Sequence, residues 1–443
     1  MRQQVLTIGV LGSCVLSCVI ATVCTASGAA GNPAPARIAA VSAATAPVTG
    51  TKSPADYLAE ALAAGEKYRL EKKFDEALYE LQKVLFVDPK NSKAKRSSSK
   101  IRNELSSALV EQSKASWKTD PKGAMKTLHA AYDNNPTGRE VKALFKKRGY
   151  RLHEGRWLTK AGIKEFEAER EAAGMRRHKE IGLRKSFKVL HNGPFRFFTN
   201  LDIENAQGNL IQEIIQSNLS HYREYTRVMK PLGLRFPTEG IDIVLFDTRH
   251  GYMNFTRAEG SAGVYIPSKR AGFFYRIGGG IDFSTMLHEM THQLCDKVLV
   301  GLGLSGWFEE GMAEYFGAGL LTQGGKRLRL GGVEASRLRG MHRALRGQRA
   351  GGIIPLAQFT EMPRAQLTGQ FYSQAWALVH FLMEEHPYGR LIIYDYVAGG
   401  KRYRRTSGTP YATYSLKSVL KEYGITLDEL ETQYVRFYRE GSR

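Results

Sequence analysis

His288-Glu289-Met290-Thr291-His292 sets two imidazoles four residues apart, with a carboxylate beside the first. On a helix, residues four apart stand one above the other on one face, so both rings can reach a single divalent cation. Glu289 lies one residue round, where it can hold a metal-bound water without ligating the ion. Downstream, Trp307-Phe308-Glu309-Glu310-Gly311-Met312-Ala313-Glu314 supplies carboxylates on a second helical segment. If that segment packs against the first, Glu310 joins His288 and His292 as a third ligand. Two histidines and a carboxylate leave the fourth position of a tetrahedral Zn2+ open for water. Glu309 is the rival third ligand, and the Glu-Gly step favours Glu310. Glu314 lies one turn further on the same face. There it can accept a hydrogen bond from the outer ring nitrogen of a ligand histidine and fix its tautomer.

These groups need particular elements to hold them. Phe283 to Leu294 has helical spacing. Gly301-Leu302-Gly303-Leu304-Ser305-Gly306 matches a dinucleotide fingerprint by letter. It does not sit between a strand and a helix of a βαβ unit, so it reads as the turn joining the two helices. Upstream, Phe195–Thr199 and Ile241–Phe246 read as strands, and Glu204–Met229 as a long helix ended by Pro231 and Gly233. Gly263–Ile266 and Gly272–Tyr275 read as a hairpin pair, followed by a pliable loop at Gly278-Gly279-Gly280. Strands followed by helices predict an α+β domain.

With Trp307-Phe308-Glu309-Glu310-Gly311, the His288–His292 motif resembles the gluzincin metallopeptidases, the clan of thermolysin and aminopeptidase N. The wording of the C-terminal region is most similar to bacterial peptidase-MA-like domains. The resemblance spans about residues 190 to 440 and implies a zincin-like fold. It implies His288, His292 and Glu310 as zinc ligands and Glu289 as the catalytic glutamate. An edge strand before the motif helix would hold the substrate backbone, with Gly263–Tyr275 as the candidate. The family often carries a tyrosine well beyond the third ligand, and Tyr372 stands there. The words around Tyr372 differ from the aminopeptidase pattern. Its neighbours Phe371 and Trp376 also suit a packed core helix, so a catalytic and a packing role both stand. No glycine motif for binding a free substrate amine accompanies the site.

The expected activity is peptide-bond hydrolysis by a zinc-activated water, with Glu289 as general base. The alternative is a non-catalytic, zinc-containing scaffold in which the two histidines only hold structure. His380 and His386 read as structural.

Residues 1–28 run from a charged start through an apolar stretch to small residues, which predicts a secretory signal peptide and an exported protein of the periplasm, envelope or exterior. A retained anchor is the alternative, and Val15-Leu16-Ser17-Cys18 loosely resembles a lipobox. Residues 29–55, rich in Ala, Pro, Gly, Ser and Thr, read as a disordered linker. In residues 56–148, Gly65, Tyr68, Ala77, Leu81 and Pro89 fall at the spacings of one tetratricopeptide repeat. Ala124, Leu128 and Pro136 give a weaker echo. This segment resembles a tetratricopeptide-like helical domain that binds protein partners; an ordinary helical hairpin bundle is the equal alternative. Residues 149–190 read as a charged connector with a solvent-bathed helix, and residues 191–440 as the peptidase-like domain.

At 443 residues, the chain is long enough for two or three domains. Its 42% hydrophobic and 24% charged content excludes wholesale disorder and a multi-span membrane protein. Three of the four cysteines (Cys14, Cys18 and Cys24) fall in the export segment. Cys295 alone would remain, which excludes a disulfide scaffold. The net charge of +21 is carried by clusters such as Lys142–Arg148, Arg176–Lys188, Lys326–Arg349 and Lys401–Arg405. They read mainly as solvated surface, with an anionic envelope polymer as a candidate partner. No nucleic-acid module accompanies them, so no nucleic-acid partner is expected.

Overall fold

The computed structural model describes residues 52–440 apart from 205–206, 348–351, 368, 370 and 408–413. The expected signal peptide, most of the expected linker, Cys14, Cys18 and Cys24 lie outside the described residues. The chain opens with five helices: α1 (Pro54–Leu70), α2 (Phe74–Val87), α3 (Ser92–Ser116), α4 (Pro121–Asn134) and α5 (Arg139–Lys147). A hairpin of β1 (Arg151–His153) and β2 (Arg156–Leu158) leads into α6 (Lys160–Ile181). Then come β3 (Lys188–Asn192), β4 (Phe195–Thr199), α7 (Gly208–Met229), β5 (Ile241–Phe246), α8 (Arg249–Thr256), β6 (Gly263–Ile266) and β7 (Ala271–Tyr275). The remainder is mostly helical. It comprises α9 (Phe283–Val298), α10 (Gly306–Gly317), a small hairpin of β8 (Leu320–Thr322) and β9 (Arg327–Arg329), α11 (Ala335–Leu345), α12 (Leu356–Phe359), α13 (Tyr372–His380), α14 (Gly389–Ser407), α15 (Leu416–Glu422) and α16 (Leu427–Glu440). The protein is therefore α+β. No helix among the described residues is long and apolar enough to cross a membrane.

Five strands form one mixed sheet in the order β3-β4-β5-β7-β6. The β4, β5 and β7 strands are parallel, while β3 and β6 run antiparallel at the two edges. The central strands β5 and β7 are buried along their whole length, which explains their largely apolar runs, interrupted in β5 by Asp242. One face carries Phe195, Phe197, Ile243, Leu245 and Phe274 into the main core with α7, α9, α10 and α13. The other carries Phe198, Val244 and Phe273 into a smaller core with α6 and α8. This arrangement puts β6 beside α9, so one sheet edge borders the histidine-bearing helix.

Among the N-terminal helices, Ala77 and Leu81 of α2 are buried against α1, and Ala124 and Leu128 of α4 are buried against α3. Phe86 of α2 belongs to the main core. Lys83 Nζ reaches Asp395 Oδ2 of α14 at 2.6 Å, and Tyr423 also bonds that carboxylate. The helical segment is thus bonded to the C-terminal helices.

The 149–190 segment differs from its reading as a solvent-bathed connector. Gly174, His178 and Ile181 of α6 are buried. Arg177 Nε donates to the buried Asp242 of β5 at 2.5 Å, and Arg196 reaches the same carboxylate at 2.6 Å. A Cβ at Gly174 would lie 2.9 Å from His191 Nε2, so the missing side chain is what lets α6 lie on β3. The contact uses glycine and a buried ion pair rather than an apolar stripe, which is why hydrophobic periodicity gave no sign of it. The β3 strand also straddles the expected boundary at residue 190.

Candidate metal centre

Asp282 caps α9 by accepting a hydrogen bond from the Thr285 amide, which starts the helix just before its histidines. Along its other side, α9 is fixed by buried contacts to α7. His221 Nε2 lies 2.9 Å from Thr291 Oγ1, and Tyr225 Oη lies 3.4 Å from Cys295 Sγ. The second helix, α10, packs against α9 and α13. Gly311 permits that approach, since a Cβ there would meet the Ala375 carbonyl oxygen at 2.6 Å and Val379 Cγ2 at 2.4 Å.

This packing brings His288, His292 and Glu310 together. One ligand atom from each lies within 4.8 Å of the others, a group able to hold a metal ion. The two Nε2 atoms are 3.0 Å apart, and Glu310 Oε2 is 3.3 Å from His292 Nε2 and 4.0 Å from His288 Nε2. Glu310 Oε2 is buried and receives no hydrogen bond. Burial alone would raise the Glu310 carboxyl, but His292, His288 and Arg364 outweigh it and hold the pKa at about 2. Glu309 points elsewhere, pairing with Arg364 at 2.7 Å.

The structure places Glu289 beside this group, with Oε1 3.9 Å from His288 Nε2. Its Oε2 accepts the Tyr265 backbone N–H of β6 at 2.7 Å. Burial pushes the Glu289 carboxyl up to about 7, against the opposing pull of His292 and the Tyr265 amide. Glu314 Oε1 lies 3.4 Å from His288 Nδ1, and both Glu314 oxygens accept from Arg337 at 2.6 Å. A proton on His288 Nδ1 facing Glu314 leaves the Nε2 lone pair directed at the cluster. Burial lowers the His288 pKa well below its ordinary value, so the ring is neutral.

Tyr372 begins α13 with its ring centroid 6.1 Å from that of His288. Burial and the neighbouring carboxylates raise its pKa, so its hydroxyl keeps its proton. The fold therefore brings Tyr372 to the site, half-buried beside a ligand candidate.

Three participants were missed by sequence reasoning. Tyr265 acts through its backbone, which no side-chain pattern can signal. Arg337 belongs to the Lys326–Arg349 run read as solvated surface, yet it turns inward to Glu314 and stacks 5.7 Å from the Tyr372 ring. Arg364 donates to His292 Nδ1 at 3.2 Å and lies 3.5 Å from Glu310 Oε1. Arginine has no acceptor, so in this contact His292 Nδ1 accepts and its proton sits on Nε2.

Fold and site together define an α+β protein in which two packed helices gather a His-His-Glu group able to hold a metal ion. Residues 282–396 match a family described as "Protein of unknown function (DUF1570)". His288, Glu289, His292, Glu310, Glu314, Arg337, Arg364 and Tyr372 all lie inside the matched stretch. The chain has no match among curated proteins.

Proposed function

We propose that the protein is a zinc-dependent peptidase with a zincin-like catalytic domain, cleaving peptide bonds with Glu289 as general base. The observation that carries this reading is the convergence of His288 Nε2, His292 Nε2 and the buried Glu310 Oε2 to within 4.8 Å of one another. The donor set fits the ion. Tetrahedral ligands at zinc bond lengths stand about 3.3 Å from one another. The observed separations of 3.0, 3.3 and 4.0 Å bracket that spacing. When bound, Zn2+ would polarise the scissile carbonyl and lower the pKa of a water toward about 7.

Glu289 suits the proton transfers by its position, buried beside the ligand group with Oε1 3.9 Å from His288 Nε2, where a carboxylate can take a proton and return it to the leaving amine. The Tyr265 amide fixes one of its oxygens and leaves the other facing the histidines. An extended peptide can add to the β6 edge, where backbone groups give affinity without demanding a sequence. Tyr372, protonated and beside His288, is placed to donate to a developing oxyanion. The N-terminal helices, read as tetratricopeptide-like, would recruit protein partners or substrates, and an anionic envelope polymer would suit the basic surface. Export through the segment before residue 29 belongs to the same reading.

The second reading, a non-catalytic zinc-containing scaffold, keeps the same ligand group and uses the N-terminal helices, joined to the C-terminal helices through Lys83 and Asp395, to bind protein partners. Cleavage of a broad peptide library by the full chain separates the two. Activity should disappear on chelation. In Glu289→Gln it should drop about 10²- to 10⁴-fold with zinc content unchanged. Full activity of that variant would overturn the base assignment, and inactivity of the zinc-loaded wild type would favour the scaffold.

A further inference from the structure

Sharing no lining residue with the histidine site, a cavity of about 440 Å³ opens where α2 and α3 meet the C-terminal end of α7. Its lining includes Arg102 from α3, Arg223 and Arg227 from α7, and Lys230 just beyond, with no carboxylate among the lining residues. Leu85, Tyr222 and Pro231 add an apolar wall. Arg227 is already matched by Glu224 at 2.7 Å. Among the described residues Arg223 donates only to neutral acceptors, Ser220 Oγ and the Lys326 carbonyl. Arg102 is half-buried and forms no ion pair among the described residues. Its pKa is lowered by burial, with no carboxylate restoring it. The Gln82 amide lies 3.1 Å from both the Arg102 guanidinium and the Pro231 carbonyl, and in the orientation that satisfies both it accepts from the first and donates to the second.

Basic residues near the end of α7 also complement the helix dipole, which explains Arg227 and Lys230 on stability grounds alone. It does not explain Arg102, which comes from another helix and is partly stripped of water without a counter-charge. Burying a cation in that way is unfavourable unless an anion joins it. Guanidinium forks match the oxygens of carboxylate and phosphate. A surplus of several positive charges suits the doubly charged phosphate better than a single carboxylate. The apolar wall gives an organic group somewhere to lie, and the volume falls in the ordinary range for small-ligand sites.

We propose that this seam cavity binds an organic phosphate monoester, with Arg102 and Arg223 gripping the phosphate oxygens and the Leu85–Pro231 wall holding the organic part. Such a group comes from a soluble ester or from a phosphatidic acid headgroup, and two arms of one experiment distinguish them. Phenyl phosphate titrated calorimetrically into the full chain should bind with one-to-one stoichiometry. Inorganic phosphate should bind more weakly, and phenol should not bind. Arg102→Gln and Arg223→Gln should each weaken phenyl phosphate by about tenfold or more. Without ligand, Arg102→Gln should melt no lower than wild type, because it removes an unmatched buried charge; a purely structural arginine would give the opposite. If Arg102→Gln fails to fold, the exposed Arg223→Gln carries the same test. Co-flotation with phosphatidic acid vesicles, lost in the same variants, assigns the lipid source; phenyl phosphate binding without co-flotation assigns a soluble ester. No binding of phenyl phosphate, or binding unchanged in both variants, overturns the proposal.

Discussion

Gly311→Ala tests how closely the packing of α10 on α13 sets the metal centre. The new methyl would meet Val379 Cγ2 at 2.4 Å and the Ala375 carbonyl oxygen at 2.6 Å. The valine tip can rotate away, but the carbonyl belongs to helical backbone and cannot. Relieving the second contact to an ordinary separation moves α10 by about 0.8 Å in an interior with no spare room. Glu310 precedes Gly311 directly, so its carboxylate moves with the helix. Metal–ligand distances tolerate only about 0.2 Å, so a shift of this size breaks the Glu310 bond. The expected loss of zinc affinity is about 100-fold or more, at the upper end of what even a displaced supporting group causes. Overpacking lowers stability by about 1–3 kcal/mol, offset by up to about 1 kcal/mol from replacing a helical glycine. The net loss in the metal-free protein therefore lies between about 0 and 3 kcal/mol. Zinc affinity would be measured by competition with a chelating dye, and stability by urea unfolding with chelator present. Adding Val379→Ala should rescue little, because the carbonyl contact remains. Wild-type zinc affinity in Gly311→Ala would refute the claim that this close approach positions the third ligand.

Other perturbations follow from the same geometry. Arg364→Met frees His292 to carry its proton on Nδ1 and removes a positive charge from beside the cluster. Zinc affinity should rise by about tenfold; a fall would mean that Arg364 supports the site by holding Glu309. Lys83→Met leaves Asp395 buried with only tyrosine donors and should destabilise the chain by about 3 kcal/mol in urea unfolding, with a loss below about 1 kcal/mol arguing against a docking role for the pair. Burial lowers His386 to about 4, against the opposing hydrogen bond to Gln433, and lowers His380 to about 4. The unfolded chain binds more protons between about pH 6.5 and 4, so this stability is full above 6.5 and lost as pH falls. Each histidine forfeits up to about 3 kcal/mol by pH 4. His386→Gln should flatten the acid limb of stability against pH, and an unchanged slope would contradict its buried, neutral state.

Part of this protein is legible in its sequence because the signals are local. The spacing of His288 and His292 fixes two rings on one helical face in any helix that forms. The apolar runs of Ile241–Phe246 and Gly272–Tyr275 can belong only to buried strands or cores. The Glu310-Gly311 step favours Glu310 over Glu309 as the third ligand. The arginines around the site were not legible. Arg337 stands on the amphipathic helix α11 among other basic residues and Arg364 in a short turn, and only the return of the chain from α11 and from the turn before α13 aims them at Glu314 and His292. The docking of α6 on β3 escaped notice for a related reason, since glycine and an ion pair leave no mark on a hydrophobic pattern.

The sequence by itself determined the inventory: two imidazoles at helical spacing, carboxylates on a following helix, and strands ahead of them. Tertiary structure decided which carboxylate meets the histidines, that the Tyr265 amide holds Glu289, and that Arg337, from a basic run, and Arg364, from outside any such run, turn toward the site. Spacing along a helix is set by the backbone alone. Contacts between distant segments depend on how the α9, α10 and α13 surfaces pack, and one methyl group at Gly311 is enough to change that packing.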